Sequence, residues 1–237
     1  MEYQTIRVAE HQQGVRVLSL FRPEKRNAIS IQMRKELCTC LESLKNDASV
    51  AALVLTGEGG GFCAGFDLRE FRQPEKRDEL VRTSWEYHRA LWHFPKPVVA
   101  AVNGAAMGGG FDLAVFCDLR ICSESAFFGH PEIKLGGAPL FTPLRWIVGE
   151  GLARDLCFTG RTIDAREAHR IGLVSQVVPD AQLLERALQI ARQIVEAPAE
   201  AVLRTKVFMN AAGGRGFDEA FDVEHAAVFG IKLPDGG

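Results

Sequence analysis

Three consecutive glycines, Gly108 to Gly110, sit in the stretch GAAMGGGFD at 104–112, between the β-branched run PVVAAVN and the apolar run LAVFCDLRIC. A helical glycine costs roughly 1 kcal/mol relative to alanine. Three together are tolerated where the backbone must pass close to something, or turn in a way a side chain forbids. A second cluster, GEGGGFCAG at 57–65, follows another apolar run, VAALVLT at 50–56. Strand–glycine–helix junctions of this kind constrain the fold strongly, because each exposes backbone N–H groups at the positive end of a helical turn. Two N–H groups from separate loops can converge on one oxygen, which is the design of an oxyanion hole.

The flanking pattern is that of an α/β protein. Alternating residues at 4–9 and 14–20 around HQQG predict a hairpin, and Ser30 caps a predicted helix through about Lys45. Strand VAALVLT, a helix over 74–94 and strand PVVAAVN follow. Next come a helix over 107–116, strands near 119–122 and 126–128, and helices near 142–149, 151–158 and 164–171. A short strand VSQVV precedes helices over 180–196, 199–212 and 216–229. Strands alternating with helices imply a largely parallel, layered sheet. The division falls into a sheet-rich core, 1–179, and a C-terminal helical region, 180–237.

Net charge is −2 and Lys and Arg form no sustained run, which argues against a nucleic-acid partner. The short basic cluster from Arg22 to Arg26 suits a phosphate-bearing small molecule better. No apolar stretch reaches the ~18 residues of a membrane span, and no secretory signal pattern opens the chain. The six cysteines lack metal-ligand or CxxC spacing and read as reduced, mostly buried residues, so the expected location is the cytoplasm and no metal is expected.

Gly59, Gly61 and Ala64 satisfy G-x-G-x-x-A, but Pro74 leaves little room for the long helix that a dinucleotide fingerprint needs. No Gly-Lys-Ser/Thr follows, so a P-loop is excluded. In a helix beginning near Met107, Gly109 and Asp112 are i and i+3 and share a face, which puts the carboxyl beside whatever the Gly109 N–H binds. A second acid, Glu132, follows His-Pro in FFGHPEIKLGG; alone it reads as a solvated loop residue, and His130 as a structural one. G-x-S-x-G and H-E-x-x-H are both absent.

Four segments together resemble the enoyl-CoA hydratase/isomerase (crotonase) family: RPEKRNAI at 22–29, GFCAGFDL at 61–68, KPVVAAVNGAAMGGGFDLAVFCD at 96–118 and AFFGHPEIKLG at 126–136. GRTIDAREAHRIGLVSQVV at 160–178 adds a fifth. The resemblance implies an α/β superhelix of β-β-α repeats with a C-terminal helical trimerisation region. It implies that the N–H groups of Phe66 and Gly109 hold a thioester oxygen, and that Asp112 and Glu132 are the two catalytic acids. Ala64, Gly65, Asp67 and Leu68 would line the coenzyme A site, with the Ala64 carbonyl near adenine and Lys25 or Arg26 near phosphates. Ala28, Gly108, Pro131 and Gly137 complete the implied substrate-binding set. Coenzyme A is part of the substrate, and no separate cofactor is implied.

The implied reaction is hydration of an enoyl-CoA: water attacks C3, one carboxylate takes its proton, and a carboxylic acid protonates C2. Asp112 stands where the family usually has glutamate, shorter by about 1.5 Å. APLFTP at 138–143 replaces a glycine-rich turn, which changes the acyl pocket, and the ending LPDGG lacks a Phe-rich closing helix, which predicts an open lid or a shortened chain. Dienoyl-CoA isomerases and aryl-CoA dehalogenases resemble this pattern but place a further acid at the position of Leu140, a role leucine cannot serve, which sets both aside. A one-acid enoyl-CoA isomerase using Glu132, and a non-catalytic binding protein on the same fold, stay open. Apolar positions on the last three helices (Leu183, Leu184, Ala187, Ile190, Ala191 and Ile194; Val202, Val207 and Phe208; Phe217, Phe221, Val223, Val228 and Phe229) predict a homotrimer or hexamer with 199–229 near the three-fold axis.

Overall fold

The structure, a computed structural model, describes residues 3–229. The side chains of Val223, Val228 and Phe229 and the terminal LPDGG lie outside the described residues. The hairpin forms as β1 (Ile6–Glu10) and β2 (Val15–Leu20), paired antiparallel. Next come α1 (Ile31–Asn46), β3 (Ala52–Gly57), the short α2 (Leu68–Phe71) and α3 (Arg77–Trp92). They are followed by β4 (Val98–Val102), β5 (Ala105–Met107) and α4 (Gly109–Val115). Then come β6 (Leu119–Ser123), β7 (Phe127–Gly129), α5 (Thr142–Val148) and α6 (Glu150–Thr159). The chain continues through β8 (Thr162–Asp164), α7 (Ala165–Arg170), β9 (Gln176–Val178), α8 (Leu183–Val195), α9 (Ala199–Ala212) and α10 (Phe217–Phe229).

Six strands form one sheet in the order β1-β2-β3-β4-β6-β9, parallel from β2 onward. Its central strands are apolar without alternation because both faces are covered. Leu53, Leu55, Val98 and Ala100 point toward α1 and α3, joining Met33, Leu37, Leu41, Tyr87 and Leu91. Ala52, Val54, Val99 and Ala101 point the other way, against Leu183, Ala187, Leu188 and Ala191 of α8. The apolar face of α8 is therefore spent within its own chain. That corrects the expectation that it adds to an interface, leaving mainly Leu184 exposed.

A second layer runs β5-β7-β8 and is extended by isolated parallel bridges from Cys63 to Ala106 and from Ile29 to Phe66. Each repeat thus gives one strand to the large sheet, one extended segment to the small layer, and then a helix. This is the β-β-α repetition that the resemblance implies. Sequence periodicity predicts a helix from Met107, whereas Ala105–Met107 is a strand and α4 starts at Gly109. Cys63 explains the difference: its N–H donates to the Ala105 carbonyl (2.8 Å), and its own carbonyl accepts from Met107 N–H (2.9 Å).

Ser30 caps α1 as expected, its hydroxyl accepting from Met33 N–H. At the other end, buried Lys96 donates to the carbonyls of Leu44 and Asp47, both at 2.6 Å, and so satisfies acceptors that the helix end leaves open. All six cysteines are free, five of them buried. No helix among the described residues is long and apolar enough to cross a membrane.

Candidate active site

The two glycine clusters meet. Parallel pairing with Ile29 uses the Gly65 carbonyl (2.8 Å) and the Asp67 N–H (3.0 Å), so the intervening Phe66 N–H is turned to the opposite side. Gly65, with φ +91°, lies on that side so close to α4 that a Cβ would stand 2.7 Å from the Met107 carbonyl oxygen and 3.4 Å from Gly109 N. A Cβ on Gly109 would fall 2.9 Å from the Phe66 ring, and one on Gly110 2.3 Å from the Cys63 carbonyl oxygen. Gly108 has φ +51° and faces Glu132, whose Oε2 would lie 3.0 Å from an added Cβ. The glycine triplet is therefore a close-approach surface, which answers why the chain keeps three of them.

Asp112 stands on the first turn of α4, its N–H bonded to the Gly108 carbonyl. It is 5% exposed, and burial raises its carboxyl to about 7; nearby His130 opposes that rise and Glu132 adds to it. Glu132 arrives from the 3-10 turn Pro131–Leu135 after β7, where its carbonyl accepts from Gly137 N–H at 2.8 Å. Between the two acids lies His130, fully buried and stacked on Phe111 with ring centroids 4.7 Å apart. Its Nδ1 is 2.8 Å from Glu132 Oε1 and its Nε2 is 3.8 Å from Asp112 Oδ1. Among the described residues, Glu132 Oε2 and His130 Nε2 are buried without a hydrogen-bond partner.

Donor atoms of Asp112, His130 and Glu132 lie within 4.8 Å of one another, a spacing that could suit a cation. They are strung instead as carboxyl–imidazole–carboxyl, with both ring nitrogens turned to a carboxyl group. A chelated ion needs donors that converge on one point.

The remaining sequence-derived residues form two walls. Lys25, Arg26 and Ala28 sit on the turn knitted to 64–68 by the Ala64 N–H to Arg26 carbonyl bond (3.0 Å) and by the Ile29 pairing. Gly108, Pro131 and Gly137 gather around Glu132. Arg22 is unavailable to a ligand phosphate: it bonds Asp67 at 3.0 Å and the Ala28 carbonyl at 2.6 Å. Asp67 is held by that pair and caps α2, while Leu68 is exposed.

Three residues beyond His130 escaped sequence reasoning. Asn27, fully buried in a left-handed conformation (φ 55°), donates to the carbonyls of Glu58 and Gly61 and clamps the first glycine loop. Arg34, also fully buried, stands 4.4 Å over the Phe66 ring and donates to the Leu80 carbonyl and Thr83 hydroxyl. Tyr87 packs edge-on to the same ring, its hydroxyl without a hydrogen-bond partner among the described residues. A cavity of about 410 Å³ opens beyond Phe116, one turn past Asp112, between Trp92, Trp146 and Met209.

The family model described as enoyl-CoA hydratase/isomerase matches residues 10–227. The short-chain-enoyl-CoA hydratase of Clostridium acetobutylicum is 37% identical over 93% of this chain and 87% of its own. The mitochondrial Delta(3,5)-Delta(2,4)-dienoyl-CoA isomerase of Homo sapiens is 37% identical, covering 98% of this chain and 75% of its own. Among solved structures, the enoyl-CoA hydratase from Bacillus anthracis superposes with a TM-score of 0.92 at 34% identity, over 96% of this chain and 91% of that one.

Proposed function

Because this chain belongs to the enoyl-CoA hydratase/isomerase family, we propose that it is an enoyl-CoA hydratase, a hydro-lyase that adds water across the 2,3 double bond of an enoyl-CoA thioester. The observation that carries the reading is the meeting of Asp112 and Glu132 around one buried imidazole, directly beside Gly108. The N–H groups of Phe66 and Gly109 hold the thioester oxygen as the enolate develops, each donor contributing about 3–4 kcal/mol. Water adds its oxygen to C3 and gives a proton to one carboxylate, while the other acid delivers a proton to C2. Dehydration of a 3-hydroxyacyl-CoA runs the same steps backward.

Lys25, Arg26, Ala28, Ala64, Gly65, Asp67 and Leu68 form the coenzyme A wall, with Gly108, Pro131 and Gly137 around the acyl end. Coenzyme A enters as part of the substrate and no other cofactor takes part. The reaction belongs in the cytoplasm, in fatty-acid metabolism. The chain works as a homotrimer or hexamer, supported by the exposed Val207, Met209, Phe217 and Phe221 of α9 and α10. In that division of labour residues 1–179 carry the site and 180–237 serve assembly, with α8 fastened to the sheet. A double-bond shift through the same enolate is the second reading, favoured by the likeness to the dienoyl-CoA isomerase. Loss of crotonyl-CoA absorbance on adding protein tests the hydratase; a panel of enoyl-CoA thioesters giving double-bond shift and no hydration would overturn it, and no turnover at all would leave a binding protein.

A further inference from the structure

His130 is a polar residue with no exposed surface, wedged where a core would ordinarily carry an apolar side chain. Stacking on Phe111, with Phe128 behind that ring at 5.5 Å, fixes the plane of the imidazole. In that plane its two nitrogens are divided between the acids, one at hydrogen-bonding distance from Glu132 and one facing Asp112. Because Glu132 Oε1 is tied to the ring, its free oxygen is Oε2, the atom facing Gly108.

We propose that His130 is the positioning residue of this site: it turns Glu132 Oε2 toward the reacting carbons and joins Asp112 and Glu132 into one three-membered acid–base unit. The imidazole acts through the two acids and touches no substrate atom. A histidine serves here because a ring with polar atoms on two edges can bond one carboxyl group and face the other from 3.8 Å while stacking on a phenyl. The electrostatic sign follows from proximity: His130 favours the ionised form of Asp112, and Glu132 disfavours it. Cys63, Tyr87 and Cys157 also face Asp112, and burial pushes all three up, so they stay neutral beside it.

The kinetic part of the test rests on the hydratase reading; the spectroscopic part does not. In His130→Gln, turnover on crotonyl-CoA should fall about 10- to 100-fold, the effect of misplacing a reacting group by an ångström or less, with KM little changed. The limb of the pH–rate profile governed by Asp112 should move to higher pH, because an attraction for its ionised form is gone. A purely structural role would lower kcat without moving that limb, and would overturn the proposal. The second measurement needs no substrate and an intact His130. The imidazole ¹⁵N signals of His130 are compared at one pH in the wild type, Asp112→Asn and Glu132→Gln. Glu132→Gln should shift the Nδ1 signal and Asp112→Asn the Nε2 signal, since each variant replaces the carboxyl group which that nitrogen faces. Unchanged signals in both variants would sink the idea, whether or not the protein hydrates enoyl-CoA.

Discussion

Replacing Asp112 by asparagine separates what the carboxyl does for catalysis from what it costs the fold. The side chain is 5% exposed, and burial raises its pKa from 3.8 to about 7. A rise of about three units corresponds to a ceiling of ~4 kcal/mol. The native state holds this proton more tightly than the unfolded chain does. Stability from the group is therefore full below about pH 4, declines as pH rises through the window from 3.8 to about 7, and is gone above it. Asparagine has nearly the same shape and no charge, so the variant should gain on the wild type as pH rises. Between about pH 5 and pH 8 the relative gain should reach ~2–3 kcal/mol, read by urea unfolding monitored through tryptophan fluorescence. On crotonyl-CoA the same variant should lose at least ~100-fold in turnover, the lower range for general acid–base catalysis. A stability difference that is flat between those pH values would show that Asp112 is not a buried acid titrating near neutrality. Retained turnover would remove it from the chemistry.

Glu132→Gln should also lower turnover by at least ~100-fold; loss in this variant with full activity in Asp112→Asn would favour the one-acid isomerase. A structure with a bound acyl-CoA thioester should put the N–H groups of Phe66 and Gly109 both within ~3 Å of its carbonyl oxygen, and amides that point apart would refute the oxyanion hole. Light scattering should give a mass of three or six chains of 26.1 kDa, and a monomer at micromolar concentration would exclude the assembly. Lys206→Met should destabilise by about 3 kcal/mol in urea unfolding, because it strips Asp118 of a partner at 2.7 Å and the Lys96 carbonyl of one at 2.8 Å; an unchanged midpoint would mean that α9 does not depend on that anchor.

The order of elements was legible because the patterns that specify them are local. Ser30 followed by Met33, Leu37 and Leu41 makes a capped helix, and VAALVLT can only be a strand covered on both faces. Ala105–Met107 was not legible as a strand: its partners are Cys63 and Phe127, far away in the chain. The same reason hid β8, which pairs with β7 across the intervening α5 and α6. In the site, Asp112 stood out because apolar neighbours surround it in sequence, and Glu132 did not, because its burial comes from Gly108 and His130 in space. His130 itself carries no local signal beyond its place two residues before Glu132 in H-P-E. Its burial depends on Phe111, and its purpose on Asp112, neither of which a local pattern connects to it.

The residues that sequence reasoning missed share a physical task. Burying Asp112 and the Arg34 guanidinium strains the fold electrostatically, since burial holds one pKa up and the other down. Such groups persist only where the surroundings over-determine their positions. Asn27 supplies that constraint for the first glycine loop, through two carbonyls at 2.9 Å. Arg34 supplies it for Phe66 by standing 4.4 Å over the ring, while Gly109 leaves the ring space that a Cβ would take. His130 does the same for the two acids. Each is a long-range tie made by a single side chain, whereas the glycines they restrain are clustered and conspicuous. The gaps that let two backbones approach can be seen in the sequence; the side chains that hold them at that approach appear only once the chain is folded.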